Sequence, residues 1–347
     1  MSDRSFSAQK AVRSAVPLLI GLFGPSGSGK TMSALRIASG IQKISGGKIL
    51  AIDTEARRML HYADQFAFEY VQFDAPFGSL DYLAALKHCI GAGAKIVIVD
   101  SLSHEHDGPG GLIDFQELEL DRLAGSDYAK RERVKMLAWQ RPKAARRALI
   151  SGLLQLNANF IFCFRAREKT KPIKKDGKTE IIEMGFMPIA GEEFLFEMTV
   201  NCMLPPKSGG VPVWLSEHIG ELGVMKLPNY LAHAFPPGKV LDEQTGRALA
   251  EWASGAPAQT AGHPAEAAPV SLTPAPQTPA GAGAATPTVE RLTAHDRALA
   301  AAADKGMASL KQAWETIFPA DQDVLRTALE RRHKPAARAA DKAKAPA

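Results

Sequence analysis

An α/β fold with a mostly parallel sheet is what this sequence predicts, and three observations predict it. Short, near-continuous apolar runs at residues 16–23, 48–53, 69–73, 95–100 and 159–164 alternate with segments of helical periodicity. Strands buried on both faces read this way, because helices cover both sides of a parallel sheet. The first run ends in a glycine-rich loop that opens a helix, the strand–turn–helix order of a βαβ unit. Near Ser254 the composition turns abruptly to Ala, Pro, Gly, Thr and Ser, which bounds the globular part.

Taken in order, the strand at 16–23 leads to a helix over 31–44, which stops at Gly46-Gly47. Strands at 48–53 and 69–73 follow, then a helix over 80–90 and a strand at 95–100. A long helical stretch covers 128–156, with a break expected at Pro142, and 159–164 is a further strand. Residues 1–253 therefore read as one core. Residues 254–288 hold almost no large apolar side chain to offset their ordering entropy, so a disordered linker is expected there. Across 289–334, Leu299, Met307, Leu310, Ala313, Trp314, Ile317, Leu325 and Leu329 recur at helical spacing, with Pro319 starting a new helix. This predicts a small α-helical module, and the Lys/Ala-rich residues 335–347 read as a basic, disordered tail.

The chain has 347 residues, 46% of them hydrophobic and 23% charged, an ordinary composition for a soluble globular protein. A net charge of +5 points to polyanions only where the cations cluster. Cys89, Cys163 and Cys202 stand far apart without a CxxC pair, and read as buried thiols in a reducing compartment. The first residues lack a signal peptide's apolar stretch, and no run approaches the ~18 apolar residues of a membrane span. A cytoplasmic protein with no membrane partner is the expectation.

Gly24, Pro25, Ser26, Gly27, Ser28, Gly29, Lys30 and Thr31 match GxxxxGK[ST] in the context its mechanism requires, after an apolar strand and before a helix. The glycines let backbone N–H groups turn inward around nucleotide phosphates, and the helix N-terminus adds favourable dipole charge. Lys30 is placed to reach the β/γ-phosphates and Thr31 to ligate Mg²⁺. Ile96-Val97-Ile98-Val99-Asp100 is a buried strand ending in an acid, the pattern that holds the same Mg²⁺ through Asp100. ATP and Mg²⁺ are the cofactors these motifs imply. Glu55, just beyond the strand at 48–53, is the candidate for activating water, since parallel strands bring their carboxyl ends to one rim. A solvated loop carboxylate is the alternative.

These motifs, with Ile52-Asp53-Thr54-Glu55, Ile98-Val99-Asp100-Ser101 and Ile161-Phe162-Cys163-Phe164-Arg165, resemble the RecA-like recombinase core. More closely, they are similar to phage-encoded RecA-like ATPases of single-strand annealing and recombination. The resemblance spans roughly residues 15–230. It implies a RecA-like P-loop NTPase core, an oligomeric ATPase, and the catalytic-base role for Glu55. RecA-type proteins commonly end the next strand with a Gln that senses the γ-phosphate; this chain offers Arg165 and Arg167 instead. An Arg there would contact phosphate directly or reach a neighbouring subunit's nucleotide.

Two basic clusters bear on partners. Residues 128–147 carry Lys130, Arg131, Arg133, Lys135, Arg141, Lys143, Arg146 and Arg147 against Glu132 alone. Residues 165–178 carry Arg165, Arg167, Lys169, Lys171, Lys174, Lys175 and Lys178, and Asp176-Gly177 suggests a hairpin tip presenting lysines. The segments after these strands are DNA-facing loops in the resembled family. Arg141, Lys143, Arg146, Arg147, Arg167, Lys171, Lys174, Lys175 and Lys178 are therefore the candidates for salt-sensitive contact with single-stranded DNA. Solvated basic faces are the alternative for both clusters.

His104, Glu105, His106 and Asp107 invite a metal reading, but lack a second ligand pair; a role in positioning an active-site loop fits them better, with Glu105 near the nucleotide. Trp139, Trp214 and Trp252 read as core or interface residues rather than base-stacking platforms. The C-terminal helical module reads either as a tethered recruiter of a protein partner or as a solubility appendage. Two rival functions stand beside the DNA-stimulated ATPase: a P-loop small-molecule kinase, and an ATP-gated loading or binding protein with negligible hydrolysis.

Overall fold

A computed structural model of the chain describes residues 10, 15–175, 178–255, 289–317, 321, 322, 325, 329 and 333–344. Its core begins with β1 (Leu19–Gly24), α1 (Lys30–Ser45), β2 (Lys48–Asp53), β3 (Glu69–Gln72), α2 (Ser79–Gly91) and β4 (Ala94–Asp100). Four helices follow: α3 (His104–Asp107), α4 (Leu112–Ala124), α5 (Tyr128–Val134) and α6 (Gln140–Leu153). The hairpin β5 (Asn159–Lys175) and β6 (Lys178–Pro188) comes next, then α7 (Glu192–Phe196), β7 (Val200–Met203), α8 (Ile219–Val224) and α9 (Glu243–Ala253).

The sheet has seven strands in the order β3-β2-β4-β5-β1-β7, with β6 pairing β5. Every pairing is parallel except β5 with β6. One strand, β5, thus separates the loop-bearing β1 from the acid-bearing β4. This is the α/β, RecA-like arrangement expected from the sequence.

The strands are apolar throughout because both faces are covered. Ile20, Leu22, Ile49, Ala51, Ile96, Ile98 and Ile161 turn to one side, where Leu35, Ile37 and Ile41 of α1 and Leu249 of α9 pack. Their chain neighbours Leu19, Phe23, Leu50, Ile52, Val97, Val99, Phe160 and Phe162 turn to the other, against Tyr82 and Leu86 of α2 and Leu149 and Leu153 of α6. Alternate residues feed two cores, the consequence of the two-residue period of a strand. On the first side α1 and α9 approach closely through Gly40 and Gly246: a Cβ on either would strike the other helix's backbone, at the Glu243 and Ile37 carbonyl oxygens. Arg36 and Glu243 clamp the same pair at 2.8 Å.

The long helix expected over 128–156 is broken, but not at Pro142. It divides into α5 and α6 around residues 135–139, where a short 3-10 turn spans Leu137–Trp139. Pro142 lies in the first turn of α6, where a missing N–H costs no intrahelical bond. The strand at 159–164 runs on to Lys175, so the basic segment forms one arm of a hairpin. The Asp176-Gly177 tip lies outside the described residues, but Lys175 pairs with Lys178 across it. All three cysteines are buried free thiols.

A second unit lies C-terminal to the core. It contains α10 (Val289–Ala303), α11 (Met307–Glu315) and α12 (Lys334–Lys344). Leu299, Leu310, Ile317, Leu325, Leu329 and Ala337 form its apolar centre, with Met307, Ala313 and Trp314 packed against it, so the helical spacing did mark a core. The expected disordered tail is instead helical over Lys334–Lys344, because Ala337 is buried in that centre and Asp341 accepts from the Met307 N–H at 2.9 Å. The expected linker falls almost wholly on residues 256–288, outside the described residues, and so does the Pro319 helix start.

Candidate nucleotide site

Strand register assembles the site. Asp53 pairs with Asp100, and Asp100 with Cys163, while Gly24 pairs with Arg165. The carboxyl ends of β2, β4 and β1 therefore meet on one rim, which β5 crosses at Arg165, and ligands of open parallel sheets bind at such a rim. A cleft of about 640 Å³ opens there, lined by Ser26, Gly27, Gly29, Lys30, Thr31, Glu55, Arg58, Asp100 and Arg165, among others.

The glycine-rich loop is built for close approach. Gly27 (φ 76°) and Gly29 (φ 94°) occupy the left-handed region. A Cβ at Gly29 would sit 2.9 Å from the Gly210 backbone nitrogen. The segment after β7 thus braces the loop from outside, with Ser208 Oγ donating to the Ser28 carbonyl at 3.3 Å. Ser28 Oγ is buried without a hydrogen-bond partner. Lys30 Nζ folds back onto the carbonyls of Gly24 (2.9 Å) and Pro25 (2.8 Å). Burial pulls its pKa down, and the charges of Asp100 and Glu55 only partly restore it.

Thr31 Oγ1 donates to Asp100 Oδ2 at 2.5 Å, bringing an oxygen from the loop and one from β4 together. Burial pushes the Asp100 carboxyl up to about 6, against the pull of the Thr31 hydroxyl. This arrangement suits Mg²⁺: a hard cation takes oxygen ligands, and a buried carboxylate with one hydroxyl partner is short of positive charge. The glycine cradle, Lys30 and this oxygen pair fit a nucleotide phosphate with its metal.

Glu55 is positioned by its neighbours in sequence. Asp53 Oδ1 accepts from the Glu55 N–H at 2.6 Å and Oδ2 from the Met59 N–H at 3.1 Å, fixing the turn at the end of β2. Thr54 stitches β2 to β4: its hydroxyl donates to the Ser101 carbonyl (3.0 Å) and accepts from the Ser101 N–H (2.9 Å). Its one proton being spent, His104 Nδ1 must be the donor in their 2.8 Å contact. The His104 ring also stacks on Phe77, 4.9 Å between centroids.

The Glu55 carboxylate is held by Arg165 in a two-point ion pair, with Nε to Oε1 at 2.6 Å and Nη2 to Oε2. Arg58 stands 3.7 Å away. Burial alone would raise the Glu55 pKa, but the hydrogen bonds and charge of Arg165 bring it below its usual value. Both sequence candidates are therefore in the cleft, bonded to each other.

Other candidates fare differently. Arg146 is not an exposed cation: its side chain is buried on the inner face of α6, paired with Glu105 Oε2 at 2.6 Å and 3.0 Å from His106 Nδ1. That removes it from a nucleic-acid surface. Glu105, expected near the nucleotide, is instead this buried partner and also accepts from Ser79 Oγ at 2.5 Å. Arg141 is exposed but paired with Glu119 at 2.6 Å. Lys143 and Arg147 stand exposed on α6, and Arg167, Lys171 and Lys174 on β5. The side chains of Lys175 and Lys178 lie outside the described residues. Among the described residues no group of His, Cys, Asp and Glu could hold a metal by itself. None of the described helices is long and apolar enough to cross a membrane.

Sequence reasoning singled out Glu55, quoted Asp53 and Thr54 beside it and gave the His104 segment a loop-positioning role, but did not foresee the bonds by which Asp53 fixes the Glu55 turn and His104 meets Thr54. An Asp at a strand end two residues before the candidate base is an Asx-turn signal, and was there to be read.

No protein-family model matches the chain, and no curated protein is similar to it by sequence. Among solved structures it is similar to a KaiC-like protein from the hyperthermophilic archaeon Pyrococcus horikoshii, at 14% identity, over 51% of this chain and 88% of that one, with a TM-score of 0.25. A likeness of that size carries no argument about activity; the fold assignment rests on the sheet order and register described above.

Proposed function

We propose that the chain is an ATPase that binds ATP with Mg²⁺ in the cleft and single-stranded DNA on its basic hairpin, serving recombination or annealing of the phage type. One observation carries the reading: Lys30, the Thr31–Asp100 oxygen pair and the Glu55–Arg165 pair, from four neighbouring strands, line a single cleft.

Lys30 and the loop N–H groups would hold the phosphates, and Thr31 and Asp100 the metal. Bound Mg²⁺ supplies charge neutralisation on the phosphate oxygens. Glu55 is the carboxylate available to take a proton from water. It must first loosen from Arg165, and Arg165, freed, presents its guanidinium to the same cleft. Exchange of Arg165 between Glu55 and phosphate would thus couple arrival of the nucleotide to release of the base.

The DNA part is supported by the hairpin. Arg165, Arg167, Lys169 and Lys171 fall on alternate positions of β5, so one strand face carries a row of cations leading out from the cleft. Among the described residues, Arg167, Lys169, Lys171 and Lys174 take part in no ion pair. Such a row neutralises phosphates without reading sequence.

The test is ATP turnover with and without an oligodeoxythymidylate, at low and high salt. Stimulation that fades with salt is expected. Turnover indifferent to the oligonucleotide, with no salt-sensitive binding, overturns the DNA part and leaves an ATPase; no turnover at all overturns the ATPase.

A further inference from the structure

We propose that α6 carries a second contact for single-stranded nucleic acid, in which a base stacks on Trp139 while adjacent phosphates meet Lys143 and Arg147. The inference rests on the reading above that this chain binds single-stranded DNA; Lys143 and Arg147 are already candidates by charge, and what is added is the aromatic platform beside them. A surface groove of about 480 Å³ is lined by Met136, Trp139, Gln140, Lys143 and Arg147. No acid lines it. Trp139, the residue before α6 and itself in helical conformation (φ −77°, ψ −11°), and Lys143 and Arg147 on α6 step by four residues each, so they form one row, spaced ~6 Å apart along the axis. Lys143 and Arg147 are exposed, and neither joins an ion pair among the described residues. Their neighbours Arg131, Arg141 and Arg146 are each matched to carboxylates.

The apolar part of the groove argues for a base rather than a simple anion. Trp139, expected from the sequence to be a core or interface residue, is instead half-buried on the groove wall, and Met136 beside it is 77% exposed. A bare phosphate or acidic segment uses the cations but leaves this ring and thioether wet; a nucleobase covers them, and stacking tolerates any base. The platform is firm from behind. Ala138 and Pro142 are buried, and the buried Arg146–Glu105 pair ties α6 to the segment just after Asp100. A base on Trp139 would thus sit on an element anchored beside the metal-binding strand.

The experiment is fluorescence anisotropy of a labelled oligodeoxythymidylate with the full chain, without nucleotide, across a salt series. Trp139→Ala should weaken binding roughly ten-fold, and Trp139→Phe should restore most of it, because an aromatic face remains. Lys143→Ala with Arg147→Ala should weaken binding and flatten the log–log salt slope by about 1.4, two phosphate contacts' worth on a single strand. If Trp139→Ala does not fold, charge reversal at Lys143 and Arg147, both exposed, decides the matter by abolishing the contact. Wild-type binding with all variants equal to it overturns this site while leaving the DNA reading intact. No binding by the wild type overturns both. A change in sedimentation without a change in oligonucleotide affinity makes the face a contact between copies, and the proposal falls.

Discussion

Arg165 and Glu55 lie 110 residues apart in sequence and close a two-point ion pair on the wall of the cleft. The carboxylate side chain is 10% exposed and the guanidinium 45%. Glu55 is placed by the end of β2 and Arg165 by the point where β5 leaves the parallel sheet for the hairpin, with β4 between the two strands. The pair favours the ionised form of Glu55 and occupies both of its carboxylate oxygens.

Arg165→Ala should therefore move the acid limb of turnover toward neutral pH. Burial raises the Glu55 pKa, and Arg165 foremost, with smaller help from His104 and Ser101, brings it below its usual value. A depressed folded pKa gives stability that is present above the unfolded value and lost as pH falls through the folded one. Without Arg165 that contribution disappears; with half the guanidinium in solvent, its loss should cost about 1 kcal/mol at neutral pH. A pH–rate profile and thermal melts at pH 5 and 7.5 measure both effects. Unchanged profiles would mean that Arg165 does not govern Glu55.

Asp100 titrates in the opposite sense. Burial lifts its pKa from 3.8 to about 6, so its ionised form burdens the metal-free fold. Stability from this group is greatest below the unfolded pKa and is lost as pH rises through about 6. Asp100→Asn should remove that loss, stabilising the metal-free protein at pH 7.5 by at most about 3 kcal/mol. The same variant should no longer gain stability from Mg²⁺ with ATP. Melting curves at pH 5 and 7.5, with and without Mg-ATP, check the two outcomes together.

Arg146 and Arg147 are neighbours with opposite fates. Arg146→Ala strands the buried Glu105 carboxylate and should cost about 3–5 kcal/mol. Arg147→Ala should change stability by less than about 0.5 kcal/mol. Replacing both members, Arg146→Met with Glu105→Gln, should recover much of the loss, since no buried charge is then left alone. Urea denaturation of the four proteins separates these cases.

That contrast also shows what the sequence made legible. β2 matches its expected bounds, and β4 does so within one residue, because short β-branched runs such as Ile96 to Val99 favour a strand covered on both faces. The loop and the acids at the strand ends followed from the same runs. Arg146 was misread by charge, although its spacing gave it away: Pro142, Arg146, Leu149, Ile150 and Leu153 are the buried stripe of α6, and Arg146 lies in it. The length of β5 was not legible. Beyond Phe164 its residues are mostly polar, with only Ala166, Pro172 and Ile173 apolar, and pairing with β6 keeps them extended. The Glu55–Arg165 bond was out of reach for another reason: no local pattern says which carboxylate a strand-end arginine will meet.

The most direct measurement of the central claim is ATP binding and ATP turnover by Glu55→Gln, with Lys30→Met as the control that loses nucleotide. The expected result is binding within a few-fold of wild type and turnover reduced by roughly 10²–10⁴, the usual contribution of a positioned general base. Turnover at the wild-type rate would contradict the account, because the carboxylate that Arg165 holds would then have no part in activating water.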